Sequence, residues 1–207
     1  MNTRKVTGLS MIIAPVIAIL GWIFIGAVLL KAGPDDPEKF MIALGDNNEA
    51  VKYLFPLVTI LFLIALGGLN RIKNSMEGGS GHLMAGFGFF LVIIGSAAQL
   101  GEVAFTLATA EASHEGNMSI ASSMLASSQA FGAISTAITM VGIALIGVGI
   151  LQQKNFTPLV GGLMVITGIF TTAVSLIDYE NPIIIIGFLA VVASFVWLGV
   201  SLLRQND

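Results

Sequence analysis

Glu111, His114 and Glu115 stand at i, i+3 and i+4 in the stretch EASHEG. On a helix the two carboxylates and the imidazole would share one face. Glu-x-x-His on a helix is the half-motif of carboxylate-bridged di-metal bundles, where a second Glu-x-x-His and further inward glutamates complete the ligand set. This chain has only two histidines, and His82 lies far from His114 in sequence with no glutamate three residues before it. What remains is a loose divalent-metal site, in which Glu111, His114 and Glu115 would be joined by Glu102, Asp178 or Glu180. The plainer reading is a solvated acidic loop, and no other cofactor is expected.

Glu102 raises a different question. It follows Gln99 by three residues inside an otherwise apolar run, and an ionisable group in a membrane-spanning segment is by default a functional-site hypothesis. Gln99, Glu102, Thr106 and Thr109 are spaced 3–4–3, one face of a helix. Ser128, Gly132, Ser135, Thr139 and Gly142 make a second stripe, and Thr167, Thr171, Ser175 and Asp178 a third. Three such stripes would either line a polar path or let helices approach closely and bond across their interface. Close packing is the simpler expectation.

Other chemistry finds little footing. There are no cysteines, which removes disulfides, thiolate metal sites and cysteine nucleophiles together. A Ser-His-acid set would depend on His114, and no Gly-x-Ser-x-Gly, phosphate loop or dinucleotide fingerprint is present. An enzyme is therefore not the favoured expectation.

The elements that must position these residues follow from composition. Of 207 residues, 56% are hydrophobic and 10% charged, against about 25% charged in soluble domains. Mean hydropathy is +0.93. Six apolar segments stand out, at Leu9–Leu30, Tyr53–Leu69, Leu83–Ala110, Ile120–Leu151, Pro158–Ile177 and Pro182–Leu203. They are continuous, so they predict helices and not the alternating strands of a barrel. The expected fold is one all-α membrane domain, a bundle of six transmembrane helices over residues 1–207. The positively charged N-terminus could introduce a signal peptide, but its apolar run is long enough to be an uncleaved first span.

Six of the nine basic residues, namely Arg4, Lys5, Arg71, Lys73, Lys154 and Arg204, fall at the termini or in the second and fourth connections. The other connections hold Lys31, Lys39 and Lys52 among acids that include Asp35, Asp36, Glu38, Asp46 and Glu49. The positive-inside rule then predicts cytoplasmic N- and C-termini in a plasma or inner membrane. In the first outer connection, Asp36-Pro37-Glu38 reads as a helix start, and Asp46 with Glu49 as a second one.

Counting from Leu83 at about 1.5 Å per residue places Glu102 roughly 28 Å along its helix, close to the far side of a hydrocarbon core of about 30 Å. The third and fourth helices should then overshoot the membrane as an outward hairpin, with Glu102 at its base.

Arg4-Lys5-Val6-Thr7-Gly8-Leu9 and the stretch GILQQKNFTPLVGGLMVITG, Gly149 to Gly168, resemble features of an uncharacterised family of multi-span bacterial and archaeal membrane proteins, classed as a domain of unknown function. The resemblance implies the multi-span layout and brings no activity with it. The leading functional expectation is a non-catalytic accessory or structural subunit of a larger membrane complex, with membrane lipids and other integral subunits as partners and no nucleic acid. A small transporter or channel for an ion or polar solute, using Gln99, Glu102, Asp178 and Glu180, is the alternative. A membrane enzyme with an outer-face metal is the third.

Overall fold

Polar punctuation sets where each helix begins and ends. The computed structural model describes residues 3–33 and 36–204, so Asp35 falls outside the described residues. Seven α-helices run in order: α1 (Thr3–Phe24), α2 (Pro37–Asp46), α3 (Asn48–Asn74), α4 (His82–His114), α5 (Met118–Gln153), α6 (Pro158–Ile177) and α7 (Ile184–Arg204). No strand occurs among the described residues. Six of the helices, all but α2, are long and apolar enough to cross a membrane. That is the pattern of a multi-pass membrane protein.

Each of the six expected apolar segments lies almost wholly within one long helix, and α3, α4 and α5 outrun theirs at both ends. α3 starts at Asn48 and ends at Asn74, because its polar flanks keep helical geometry beyond the greasy stretch. α1 passes into a π-helical turn (Ile25–Leu30), closed by Lys31 in the left-handed region at φ 51°, whose N–H donates to the Gly26 carbonyl at 3.0 Å. Pro182 and Ile183 lie in the turn before α7.

Two helix starts follow the sequence reading. The Asp36 carboxylate accepts from the Lys39 N–H at 3.3 Å, with Pro37 in the first turn, and Lys39 pairs with the same carboxylate at 2.6 Å. That pairing holds the Asp36 carboxyl below its ordinary range. α6 likewise opens on Pro158. The expectation for Asp46 is corrected: it is the last residue of α2, and α3 follows after Asn47 alone. The Asn47 side chain turns back to the Ala43 carbonyl at 2.9 Å, so it closes the preceding helix and does not cap the next.

The long helices pack in chain order, α3 on α4, α4 on α5, α5 on α6 and α6 on α7, with α1 joining α3 to α7. α5 is the most deeply buried of them. Glycines set several of these approaches. A Cβ on Gly88 would stand 2.5 Å from the Gly142 carbonyl oxygen, and one on Gly142 2.6 Å from that of Gly88. Gly147 and Gly161 face each other in the same way between α5 and α6, and Gly8 and Gly199 between α1 and α7. Backbones this close exchange dispersion contacts that larger residues would prevent. The core between the helices is filled by Met11, Leu69, Ile143, Ile146, Met164 and Phe195, all essentially inaccessible. At the end where the chain begins, Asn155 donates to the Ser75 hydroxyl at 2.8 Å and Ser80 to the Gln152 carbonyl at 2.9 Å. These bonds tie the α3–α4 connection to the α5–α6 one.

Candidate functional site

The most connected polar group in the structure surrounds Glu102. This half-buried residue of α4 receives a hydrogen bond at Oε1 from the Tyr179 hydroxyl, 2.8 Å away, in the turn between α6 and α7. Gly132 of α5 makes room for the pair. A Cβ there would meet the Tyr179 ring and lie 2.7 Å from Glu102 Oε1. The Glu102 backbone is held as well: its carbonyl accepts from Thr106 at 2.9 Å and from Ser128 of α5 at 3.0 Å, and the two hydroxyls lie 2.7 Å apart.

The next residue of the same turn repeats the arrangement, with the Gln129 amide donating to the Glu180 carboxylate. Tyr179 and Glu180 thus fasten the α6–α7 turn to α4 and α5 at two adjacent points. Burial, and then the Glu102 carboxylate beside it, push the Tyr179 phenol well above the ordinary tyrosine range, while the Thr136 hydroxyl pulls weakly the other way. Glu102 is partnered by a neutral hydroxyl donor here, and not by a cation.

The sequence-derived candidates divide between this cluster and others. Glu102 and Glu180 belong to it. Gln99 is half-buried one turn earlier on α4 and is not joined to it. Asp178 is exposed at the end of α6 and accepts from Asn181 at 3.3 Å. The stripe residues Thr106, Thr109, Ser128, Ser135, Thr139, Thr167, Thr171 and Ser175 are all buried. Most of their hydroxyls donate within their own helix, as Thr109 does to Phe105 and Thr171 to Thr167, both at 2.8 Å.

The Glu-x-x-His face is used for docking. Glu111 Oε2 accepts from the buried Asn48 amide of α3 at 2.8 Å, and His114 Nδ1 lies 3.2 Å from the Gly45 carbonyl of α2. Gly45 fits because a Cβ there would come within 2.7 Å of the Ser113 hydroxyl and 2.9 Å of the His114 backbone nitrogen. Phe40 and Met41 of α2 pack with Ala112, Ala121 and Leu125. Glu115 ends α4 and is exposed. Among the described residues no three His, Cys, Asp or Glu side chains come together as metal ligands would.

No family model, curated protein or solved structure matches the chain. The likeness carried by Arg4–Leu9 and Gly149–Gly168 therefore rests on those residues alone.

Sequence reasoning found Glu102 but not its partner. Tyr179 lies between two acids and Asn48 beside Glu49, and neither position points to a distant partner in the sequence. The one available signal for the Gln129 clasp is an amide placed where α5 should leave the hydrocarbon.

Proposed function

We propose that this chain is an integral membrane subunit with six spanning helices and cytoplasmic termini, acting without catalysis as a packing partner in a larger membrane assembly. One observation carries the reading: the polar and small residues that could have lined a path are spent on helix contacts, as in Gly88 against Gly142 and Ser128 against Glu102. What faces outward along α1, α4 and α6 is apolar, including Ile13, Ile17, Phe87, Phe90, Ile166 and Ile169. At 33 and 36 residues, α4 and α5 would be about 50 Å long or more, well beyond a hydrocarbon core of about 30 Å. In this reading their excess projects from the outer face, with α2 docked against it as a surface for other subunits.

The test is affinity purification from native membranes in a mild detergent, followed by mass spectrometry. Stoichiometric co-purification of one or more integral membrane proteins is expected. A monodisperse monomer with no enriched partner overturns the proposal.

A second reading, a small transporter for an ion or polar solute, is favoured by the Glu102–Tyr179 pair, since a carboxylate inside an apolar helix is costly to keep without use. It expects a flux in proteoliposomes that Glu102→Gln removes. No flux, or a flux indifferent to that change, excludes it.

A further inference from the structure

On the face where α1 crosses α3, an apolar groove of about 350 Å³ runs along Val6, Leu9, Ser10 and Ile13 on one side and Leu61 and Ile64 on the other, with Ala14 beneath. Met11 meets Gly68, and Gly21 meets Val58, so the two helices run antiparallel. The beginning of α1 and the end of α3 therefore come to the same end of the groove. Two exposed cations stand there. Lys5 immediately precedes Val6, and Arg71 follows Ile64 by seven residues, two helical turns on nearly the same face. Those turns span about 10 Å. Between them Gly67 is exposed, and nothing lies within 4 Å of where its Cβ would be.

An apolar slot that runs up to a pair of cations at one end matches an acyl chain joined to an anionic headgroup. We propose that the α1–α3 groove is a binding site for an anionic phospholipid, one acyl chain lying along Ile13 and Ile64 and the phosphate held by Lys5 and Arg71. The inference rests on the membrane reading but not on the accessory-subunit role. Basic side chains at the membrane surface attract anionic lipid by about 1 kcal/mol each, which is roughly fivefold in affinity per cation.

The experiment titrates delipidated, detergent-purified full-length protein with phosphatidylglycerol or phosphatidylcholine of identical chains, read by native mass spectrometry. One equivalent of phosphatidylglycerol should bind at least about fivefold more tightly than phosphatidylcholine. The double variant Lys5→Gln/Arg71→Gln should lose that preference while still binding either lipid weakly. Ser10→Phe, which fills the groove from α1, should lower the occupancy of both lipids, and Ile13→Trp serves the same purpose should the first variant not fold. Equal binding of the two lipids by the wild type, a preference that survives the double variant, or an unchanged occupancy in the filled groove each overturns the site. Recovery of the protein in the soluble fraction without detergent would instead overturn the membrane reading itself.

Discussion

The Tyr179 hydroxyl donates to Glu102 Oε1 at 2.8 Å, joining residues 77 positions apart across three helices. Removing one partner of a half-buried hydrogen bond leaves the other unsatisfied and costs about 1–3 kcal/mol. Glu102→Ala and Tyr179→Phe should therefore each lower the thermal midpoint in detergent by several degrees, at about 2–4 °C per kcal/mol for a chain of this length. Glu102→Gln keeps an acceptor and should cost less. In the double variant the losses should be non-additive by more than about 0.5 kcal/mol. Strict additivity would mean that the bond contributes nothing.

Tyr179 also makes a prediction about pH. Its phenol is held above the ordinary tyrosine range in the folded protein, so folding favours the protonated form. That stability is fully present below about pH 10, the unfolded value, and is lost as pH rises beyond it. The chain has only two tyrosines, and Tyr53→Phe leaves Tyr179 as the single phenolate reporter. Phenolate absorbance in that variant should appear above pH 10 and together with unfolding. A simple titration near pH 10 with the fold intact contradicts the burial of the pair.

Glycine substitutions should divide by position. Gly132→Ala pushes a methyl group against Tyr179 and Glu102, and should destabilise by about 1–3 kcal/mol while freeing the α6–α7 turn. Gly86 and Gly162 have nothing within 4 Å of a built Cβ. There alanine should be neutral, or stabilising by up to about 1 kcal/mol through helix propensity. An equal effect of alanine at all three positions would show that the close approach at Gly132 has no energetic weight.

The docking of α2 can be read by hydrogen exchange. Asn48→Ala leaves Glu111 without its donor, and His114→Ala removes the contact to Gly45. Each should speed exchange over residues 37–48 severalfold and leave α6 and α7 unchanged. A chelator should have no such effect if Glu111 and His114 serve docking. Faster exchange with chelator would revive the metal reading for Glu111, His114 and Glu115.

Orientation is open to cysteine labelling, because the native chain has no cysteine. With cytoplasmic termini, Glu115→Cys should react with an impermeant maleimide in intact cells, and Lys154→Cys only after the membrane is opened. The reverse pattern inverts the assignment.

How far the sequence reached can be seen residue by residue. Hydropathy located the six long helices because a spanning helix needs continuous apolar residues, a signal carried by the local chain. The Asp36-Pro37 start was legible for the same reason, since a cap is a contact between residues three apart. Asp46 failed where two local rules competed, and Asn47 spent its side chain on the helix behind it. Helical spacing correctly grouped Glu102, Thr106 and Thr109 on one inward face. It also put Gln99 there, which the polar cluster leaves out. The partners of Glu102, Glu111 and His114 were illegible, because each comes from a distant element whose approach depends on glycines at Gly132 and Gly45. Spacing fixes which residues share a face and says nothing of what will lie against it.

The seam between α1 and α7 has a consequence for how the molecule assembles. Gly8 faces Gly199 and Leu203, so α1 completes its contacts only with α7, five helices later than α2. Every other long pair joins neighbours in the chain and can zip up as synthesis proceeds. In a membrane, one flank of α1 would wait in lipid with its notch at Gly8 unfilled until α7 is made, and a chain truncated before α7 would leave that flank open for good. The start of α1 and the end of α7, side by side at Gly8 and Leu203, also suit a circular permutation. Linking the end of α7 to the start of α1 and cutting between Ser75 and Gly81 would make that seam a pairing of chain neighbours and leave α3 against α4 as the last to close.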